Sequence, residues 1–346
     1  MTTPLPETID DEAQLEDLLS EPSEAAVRAL AAAEGDLMLL GVGGKMGPTL
    51  ARMARRAAEA AGVSRRVIGV SRFSAPGCRQ ALEARGIETL KGDLLDEAFL
   101  AELPDVPNIV YMAGMKFGST EDPAMTWAMN AYLPALICRR FPGSRIVAFS
   151  TGNVYPLVTV ESGGAKETDP TDPLGEYAVT TLGRERMFEY FSRTLGIPVA
   201  IIRLNYAVEM RYGVLVDIAQ KVLAGRPVDL ATGYVNVIWQ GDANAMVLAA
   251  LADTACPPFV VNVAGPEILS VRRTAETFGR LFGKPPKFSG AEAATALLND
   301  GTQGHERYGR PRVDDDRMIR WIAHWLRSGG ATLAKPTHYD VRDGKF

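Results

Sequence analysis

From residue 36 onward, short apolar runs alternate with longer helix-like stretches. The runs at 37–40, 66–70, 87–90, 109–112, 146–150 and 199–203 have the length and aliphatic content of buried strands, and the stretches 45–61, 75–85 and 177–195 read as helices between them. Strands alternating with helices of about ten residues or more imply a parallel sheet covered on both faces, so the pattern predicts an α/β, doubly wound fold. Residues 8–34 precede the first strand and read as one or two helices, rich in Ala, Leu and Glu and interrupted at Pro22. They carry no chemical motif and are expected to form a packing or dimer-contact arm. Past Asn205 the pattern becomes irregular, with proline and glycine clustered at Pro257-Pro258, Gly265-Pro266 and 283–286. The predicted organisation is a helical arm at 1–34, a sheet domain at 35–205 with 236–265, and a smaller region at 206–235 with 266–346.

Composition narrows the class. Of 346 residues, 47% are hydrophobic and 23% charged, ordinary for a soluble globular chain. A formal net charge of -5 gives no electrostatic basis for a nucleic-acid or anionic-lipid partner. No apolar run approaches the roughly 18 residues that span a bilayer, so no membrane partner is expected, and the polar, acidic N-terminus is unlike a signal peptide. Cys78, Cys138 and Cys256 are far apart and odd in number, which fits neither a disulfide framework nor a zinc site and suggests a reducing, cytoplasmic setting. The three histidines, His305, His324 and His338, all fall late, so neither a histidine metal site nor a Ser-His-Asp triad is expected. Asp314-Asp315-Asp316 reads as a helix start before residue 317, because carboxylates favour helix N-termini, and no metal is assigned to it.

Chemistry enters at the first strand-to-helix turn. Gly41, Gly44 and Gly47 are spaced G-x-x-G-x-x-G, with Lys45 and Met46 between the last two. Glycines there allow a tight turn and a close backbone approach, and the helix N-terminus offers free N–H groups to a pyrophosphate. In the opening unit of a strand-helix-strand pattern this is the fingerprint of a Rossmann-type dinucleotide site. The second strand ends Val70-Ser71-Arg72-Phe73, without the carboxylate that would hold a ribose 2′-hydroxyl. A hydroxyl followed by arginine can accept a 2′-phosphate, so the cofactor is NAD or NADP, with NADP favoured. Arg72 stacked on the adenine would leave NAD open.

Four further segments follow in order. They are Gly92-Asp93-Leu94, Tyr111-Met112-Ala113-Gly114-Met115-Lys116, Asn130, and Phe149-Ser150-Thr151-Gly152-Asn153-Val154-Tyr155, followed by Tyr177. From residue 36 to about residue 265 the chain thereby resembles the extended short-chain dehydrogenase/reductases, the NAD-dependent epimerase/dehydratase family. The resemblance implies that Asp93 and Leu94 hold the adenine, that Met112, Ala113 and Gly114 lie along the cofactor, and that Lys116 and Asn130 belong to the same site. It carries the catalytic Ser/Thr role to Thr151 and the proton-shuttling role to Tyr177. Substrate contacts fall to Lys116, Asn153 and Asn205. It also implies a homodimer through the helices near 124–140 and 176–195.

The resemblance breaks at Thr181, which stands where the family's Tyr-x-x-x-Lys signature has lysine. A free tyrosine has a pKa of about 10, and the family uses lysine and the oxidised nicotinamide to stabilise the phenolate. Thr181 shares a helix face with Tyr177 and can hydrogen-bond a ribose, but it brings no charge. Lys116 is the favoured replacement cation; Arg184, two turns along, is expected to be too distant. A second departure follows Asn205, where Tyr206-Ala207-Val208 replaces the family's Tyr-Gly-Pro continuation and puts an ordinary nucleotide-sugar pocket in question. Asp242 is expected to cap a late helix. The expected activity is an NAD(P)-dependent epimerase, dehydratase or oxidoreductase acting by hydride transfer on a sugar, nucleotide-sugar or related polyol. The alternative is a dinucleotide-binding sensor or scaffold that has lost turnover.

Overall fold

The computed structural model describes residues 4–345. Seven strands form the main sheet: β1 (Leu37–Leu40), β2 (Val67–Ser71), β3 (Glu88–Lys91), β4 (Asn108–Tyr111), β5 (Arg145–Thr151), β6 (Val199–Leu204) and β7 (Phe259–Val263). All are parallel, in the order β7-β6-β5-β4-β1-β2-β3. The chain works outward from β1 in both directions, so the order reverses between β1 and β4, and a crevice opens above their carboxyl ends. The longer helices are α1 (Glu12–Leu19), α2 (Glu24–Ala32), α3 (Gly47–Ala60), α4 (Leu133–Arg140), α5 (Gly175–Leu195), α6 (Val214–Leu223), α7 (Gln240–Ala249), α8 (Val271–Phe282) and α9 (Asp315–Arg327).

Successive strand residues point to opposite faces, and the core divides accordingly. Leu37, Leu39, Val110 and Val147 pack with α2, α3 and α7 on one face. Met38, Leu40, Ile109 and Tyr111 pack with α4 and α5 on the other. A third core lies to the side, where α6, α8 and α9 enclose Ile218, Phe278 and Trp321 and take in Leu15 and Leu19 of α1.

The N-terminal arm is thus built into the molecule. Asp11 caps α1 by accepting from the Gln14 N–H, and Ser23 caps α2 by accepting from Ala26. Arg211, in the loop after β6, ties this arm to the rest by pairing with Glu16 at 2.9 Å and Glu12 at 3.6 Å while also holding Glu209.

Three expectations change. The helix at 75–85 shrinks to Cys78–Glu83, because Gly77 adopts a left-handed φ of 75° just ahead of it. The seventh strand was not among the sequence-read runs, yet it pairs along β6 from Phe259↔Ala200 to Val263↔Leu204 and forms the sheet edge. Asp242 does not cap α7. It lies in the first turn, and its Oδ2 accepts the backbone N–H groups of Arg312 (2.9 Å) and Val313 (3.0 Å), anchoring the chain ahead of α9. Asp314 does cap α9, accepting from the Arg317 N–H at 2.7 Å.

Candidate active site

The turn after β1 shows why its glycines are glycines. Gly41 has φ 93°, and a Cβ there would lie 2.7 Å from the Ala113 nitrogen at the end of β4. A Cβ on Gly47 would lie 2.0 Å from the Val42 carbonyl oxygen. Both are demanded by the fold itself. A Cβ on Gly44 would meet only the Gly41 oxygen, at 3.5 Å; its bareness leaves open the face over which a pyrophosphate would lie. Met46 makes no side-chain cap, so the first N–H groups of α3 have no side-chain acceptor there. These residues fit a dinucleotide. Ser71 sits against the same turn, its Oγ 2.5 Å from where a Gly43 Cβ would stand. Arg72 reaches Asp93 at 3.9 Å, and its side chain is 63% exposed, so both remain open to a ligand at the adenosine end.

Lys45 turns away from the cradle toward the end of β6. Its Nζ donates to the Ala207 carbonyl at 3.0 Å and lies 4.2 Å from the centre of the Tyr212 ring. Desolvation pulls its pKa down to about 7, although Glu209 favours the charged form.

From the cradle a cavity of about 270 Å³ runs along the carboxyl ends of β4, β5 and β6. It gathers Gly44, Lys45, Met46, Met112, Gly114, Lys116, Thr151, Asn153 and Tyr177 from the sequence-read candidates. Thr151 ends β5, donates its hydroxyl to the Asn153 Oδ1 at 3.0 Å and accepts from the Asn153 N–H at 3.2 Å. The Lys116 Nζ stands 5.5 Å from the centre of the Tyr177 ring, and desolvation lowers its pKa to about 8 against the attraction of Asp217.

Other candidates lie behind this surface. Asn130 is fully buried in a π-helical turn, Ala128–Tyr132, inserted just before α4. Its Oδ1 accepts from the Met115 N–H at 2.8 Å, and its Nδ2 donates to the Met115 carbonyl (2.8 Å) and the Thr180 hydroxyl (3.0 Å). It clamps the 113–116 loop. Thr181 is also fully buried and donates to its own helix, at the Tyr177 carbonyl, 2.7 Å away. Asn205 donates to the Asn236 Oδ1 at 2.8 Å and is buried behind Leu204 and Tyr206, which do line the cavity.

Sequence reading missed several walls. Tyr212 and Val214 come from the irregular stretch after β6, and Thr337 from the tail, where its N–H and hydroxyl both bond the Asp217 carboxylate. No local motif marks them. Tyr206 carries a left-handed φ of 39°, a conformation uncommon for a non-glycine residue. Arg184 lines the same cavity as Tyr177, since an extended arginine spans the intervening turn. The helix-face spacing of 177, 181 and 184 was the available signal for it.

Fold and cavity together define a dinucleotide-binding α/β protein with a tyrosine-lined cavity at the sheet's switch point. The family model for the NAD dependent epimerase/dehydratase family matches residues 37–232, more than half of the chain, and the chain belongs to that family of enzymes. No curated protein matches its sequence. Solved structures share its fold at low identity. A UDP-glucuronic acid 4-epimerase variant from Bacillus cereus, in complex with UDP-4-deoxy-4-fluoro-glucuronic acid and NAD, aligns with a TM-score of 0.71 at 16% identity, over 84% of this chain and 99% of that one. The UDP-glucose 4-epimerase of Thermus thermophilus, in complex with NAD, gives 0.68 at 21%, over 84% and 99%. The dTDP-glucose 4,6-dehydratase of Streptomyces venezuelae, with NAD and TYD bound, gives 0.70 at 19%, over 84% and 97%.

Proposed function

We propose that this chain is an NAD(P)-dependent enzyme that oxidises and reduces a carbinol carbon of a sugar, nucleotide-sugar or related polyol, within an epimerase, dehydratase or oxidoreductase cycle. The observation that carries this reading is the convergence of Thr151, Tyr177 and Lys116 on one cavity that continues into the glycine turn. When bound, the nicotinamide supplies hydride acceptance and donation. The chain's own residues handle the proton and the geometry. Thr151 hydrogen-bonds the reacting oxygen, and Tyr177 takes or returns its proton. Lys116, beside the Tyr177 ring, favours the phenolate by its charge. Asn153 faces the substrate, and Asn130 fixes the loop that carries Lys116. At the adenosine end, Ser71 and Arg72, with no carboxylate at the end of β2 itself, favour NADP over NAD. The partner is a small sugar-like molecule.

Support for a homodimer comes from the outer face of α5, α4 and the π-helical turn before α4, where Tyr132 and Tyr190 are 52% and 57% exposed beside Leu136 and Phe191. The division into a cofactor half, 35–205 with 236–265, and a substrate-covering half is part of the same reading.

Thr181 favours one rival: a dinucleotide-binding sensor without turnover, since that position brings no charge to Tyr177. Tyr177→Phe separates the two. The enzyme reading expects turnover of a nucleotide-sugar panel to fall by about 10²–10⁴-fold with dinucleotide affinity unchanged. Undiminished turnover in the variant would remove Tyr177 from the chemistry, and no turnover by the unaltered protein across that panel would favour the sensor.

A further inference from the structure

The position four residues after Tyr177 holds a threonine whose hydroxyl is committed to the Tyr177 carbonyl at 2.7 Å and which is fully buried. One turn further, Arg184 extends to the cavity wall, with only 6% of its surface exposed. Its Nη1 donates to the Phe149 carbonyl at 2.8 Å, its Nη2 to the Asn130 Oδ1 at 2.7 Å, and its Nε, at 3.5 Å, to the Asn130 carbonyl. All three acceptors are neutral. Among the described residues no carboxylate lies within ion-pair distance of it; the adjacent Glu185 is engaged by Arg203 at 2.8 Å. A guanidinium carries five N–H groups, so two remain after these bonds. A buried cation is ordinarily compensated by an opposite charge, and here the chain provides none at bonding distance.

A second observation points the same way. A Cβ on Gly114 would lie 2.1 Å from the Arg184 Nη2 and 2.9 Å from the Asn130 Oδ1. The glycine that lies along the cavity is therefore the space into which the guanidinium fits. The arginine reaches the wall through a gap made by Gly114 and is aimed by the carbonyls of Phe149 and Asn130.

We infer that Arg184 takes over the duty that Thr181 leaves vacant: its free N–H groups hold the nicotinamide ribose, and its charge stabilises the Tyr177 phenolate. The inference rests on the proposed dinucleotide site and deepens it. A lysine lost at one turn of α5 is replaced in function by an arginine from the next turn. Lys116, whose Nζ stands 5.5 Å from the centre of the Tyr177 ring, adds its charge to that of Arg184.

The test measures NAD(H) and NADP(H) dissociation constants by calorimetry, with thermal unfolding as a check on folding. It uses the unaltered chain, Arg184→Ala, Arg184→Gln, Arg184→Lys and the exchange Thr181→Lys with Arg184→Ala. Arg184→Ala and Arg184→Gln are expected to weaken the preferred dinucleotide by about tenfold or more, the range of a charge-assisted hydrogen bond. Arg184→Lys should retain more of the affinity than Arg184→Gln, and the exchange should recover affinity lost in Arg184→Ala. Arg184→Gln keeps a polar amide donor without the charge, so it decides the matter if Arg184→Ala does not fold; should both fail to fold, recovery of folding and binding by the exchange supports the inference and its absence rejects it. A folded Arg184→Gln with unaltered affinity would overturn the inference and leave the cofactor reading standing. Absence of dinucleotide binding by the unaltered chain would instead overturn the cofactor reading itself.

Discussion

Lys45 and Thr181 show how differently two polar residues are used. Thr181 turns its hydroxyl back onto its own helix, so Thr181→Val keeps its shape and removes one hydrogen bond. The expected loss is about 0.5–1.5 kcal/mol of stability with dinucleotide affinity unchanged, read by urea unfolding and titration. Lys45 is held in the cavity with its pKa lowered to about 7 by desolvation, from an ordinary value of 10.5. Between those values the folded chain holds fewer protons at Lys45 than the unfolded chain, so this residue makes stability rise with pH across the window from about 7 to 10.5. Below about pH 7 both states are protonated and its slope vanishes. Lys45→Met should remove up to about 1.4 kcal/mol per pH unit of that rise, measured by denaturant unfolding at pH 7, 8 and 9. Identical slopes in the two proteins would contradict the burial of that charge.

At the scale of elements, α5 is locked to the sheet by an ion pair that belongs to neither the cradle nor Tyr177. Arg203 of β6 grips both oxygens of Glu185, at 3.0 and 2.8 Å, and also donates to the Tyr155 hydroxyl at 2.7 Å, which in turn donates to Asn262 of β7 at 2.9 Å. Ser150 of β5 also donates its hydroxyl to Glu185, so this network fixes the register of the helix that carries Tyr177 against the strand that carries Thr151. Removing one partner strands a buried charge, so Glu185→Ala should cost about 3–5 kcal/mol, seen as a shift of the urea midpoint. Much at this scale could be read in advance. The strand runs from Leu37 to Leu204 and the glycine turn are local signals, carried by burial pattern and backbone need. The roles of Asp242 and Asn130 are not local. Asp242 bonds Arg312 and Val313, and Asn130 reaches Met115 and Thr180, pairings that exist only once distant segments meet. The same holds for Tyr212 and Thr337, which reach the cavity from an irregular loop and from the tail.

At the scale of the whole molecule, the sheet's switch point and the third core bring the glycine turn and the end of β6 to one chamber. The N-terminal arm supports that chamber through Arg211, next to the cavity residue Tyr212. No helix among the described residues is long and apolar enough to cross a membrane. The exposed face of α4 and α5 is expected to pair two copies; Tyr190→Asp should convert a dimer to a monomer in sedimentation velocity, and a species of unchanged mass would place any interface elsewhere. The central claim is that the glycine turn and the cavity beyond it hold a nicotinamide dinucleotide. The most direct test is to denature the purified protein, identify any released nucleotide, and titrate the stripped chain with NAD(H) and NADP(H). Saturable binding at one site per chain is predicted, tighter for the phosphorylated form if Ser71 and Arg72 read the 2′-phosphate. Binding of neither dinucleotide would contradict the account and every role assigned around Tyr177.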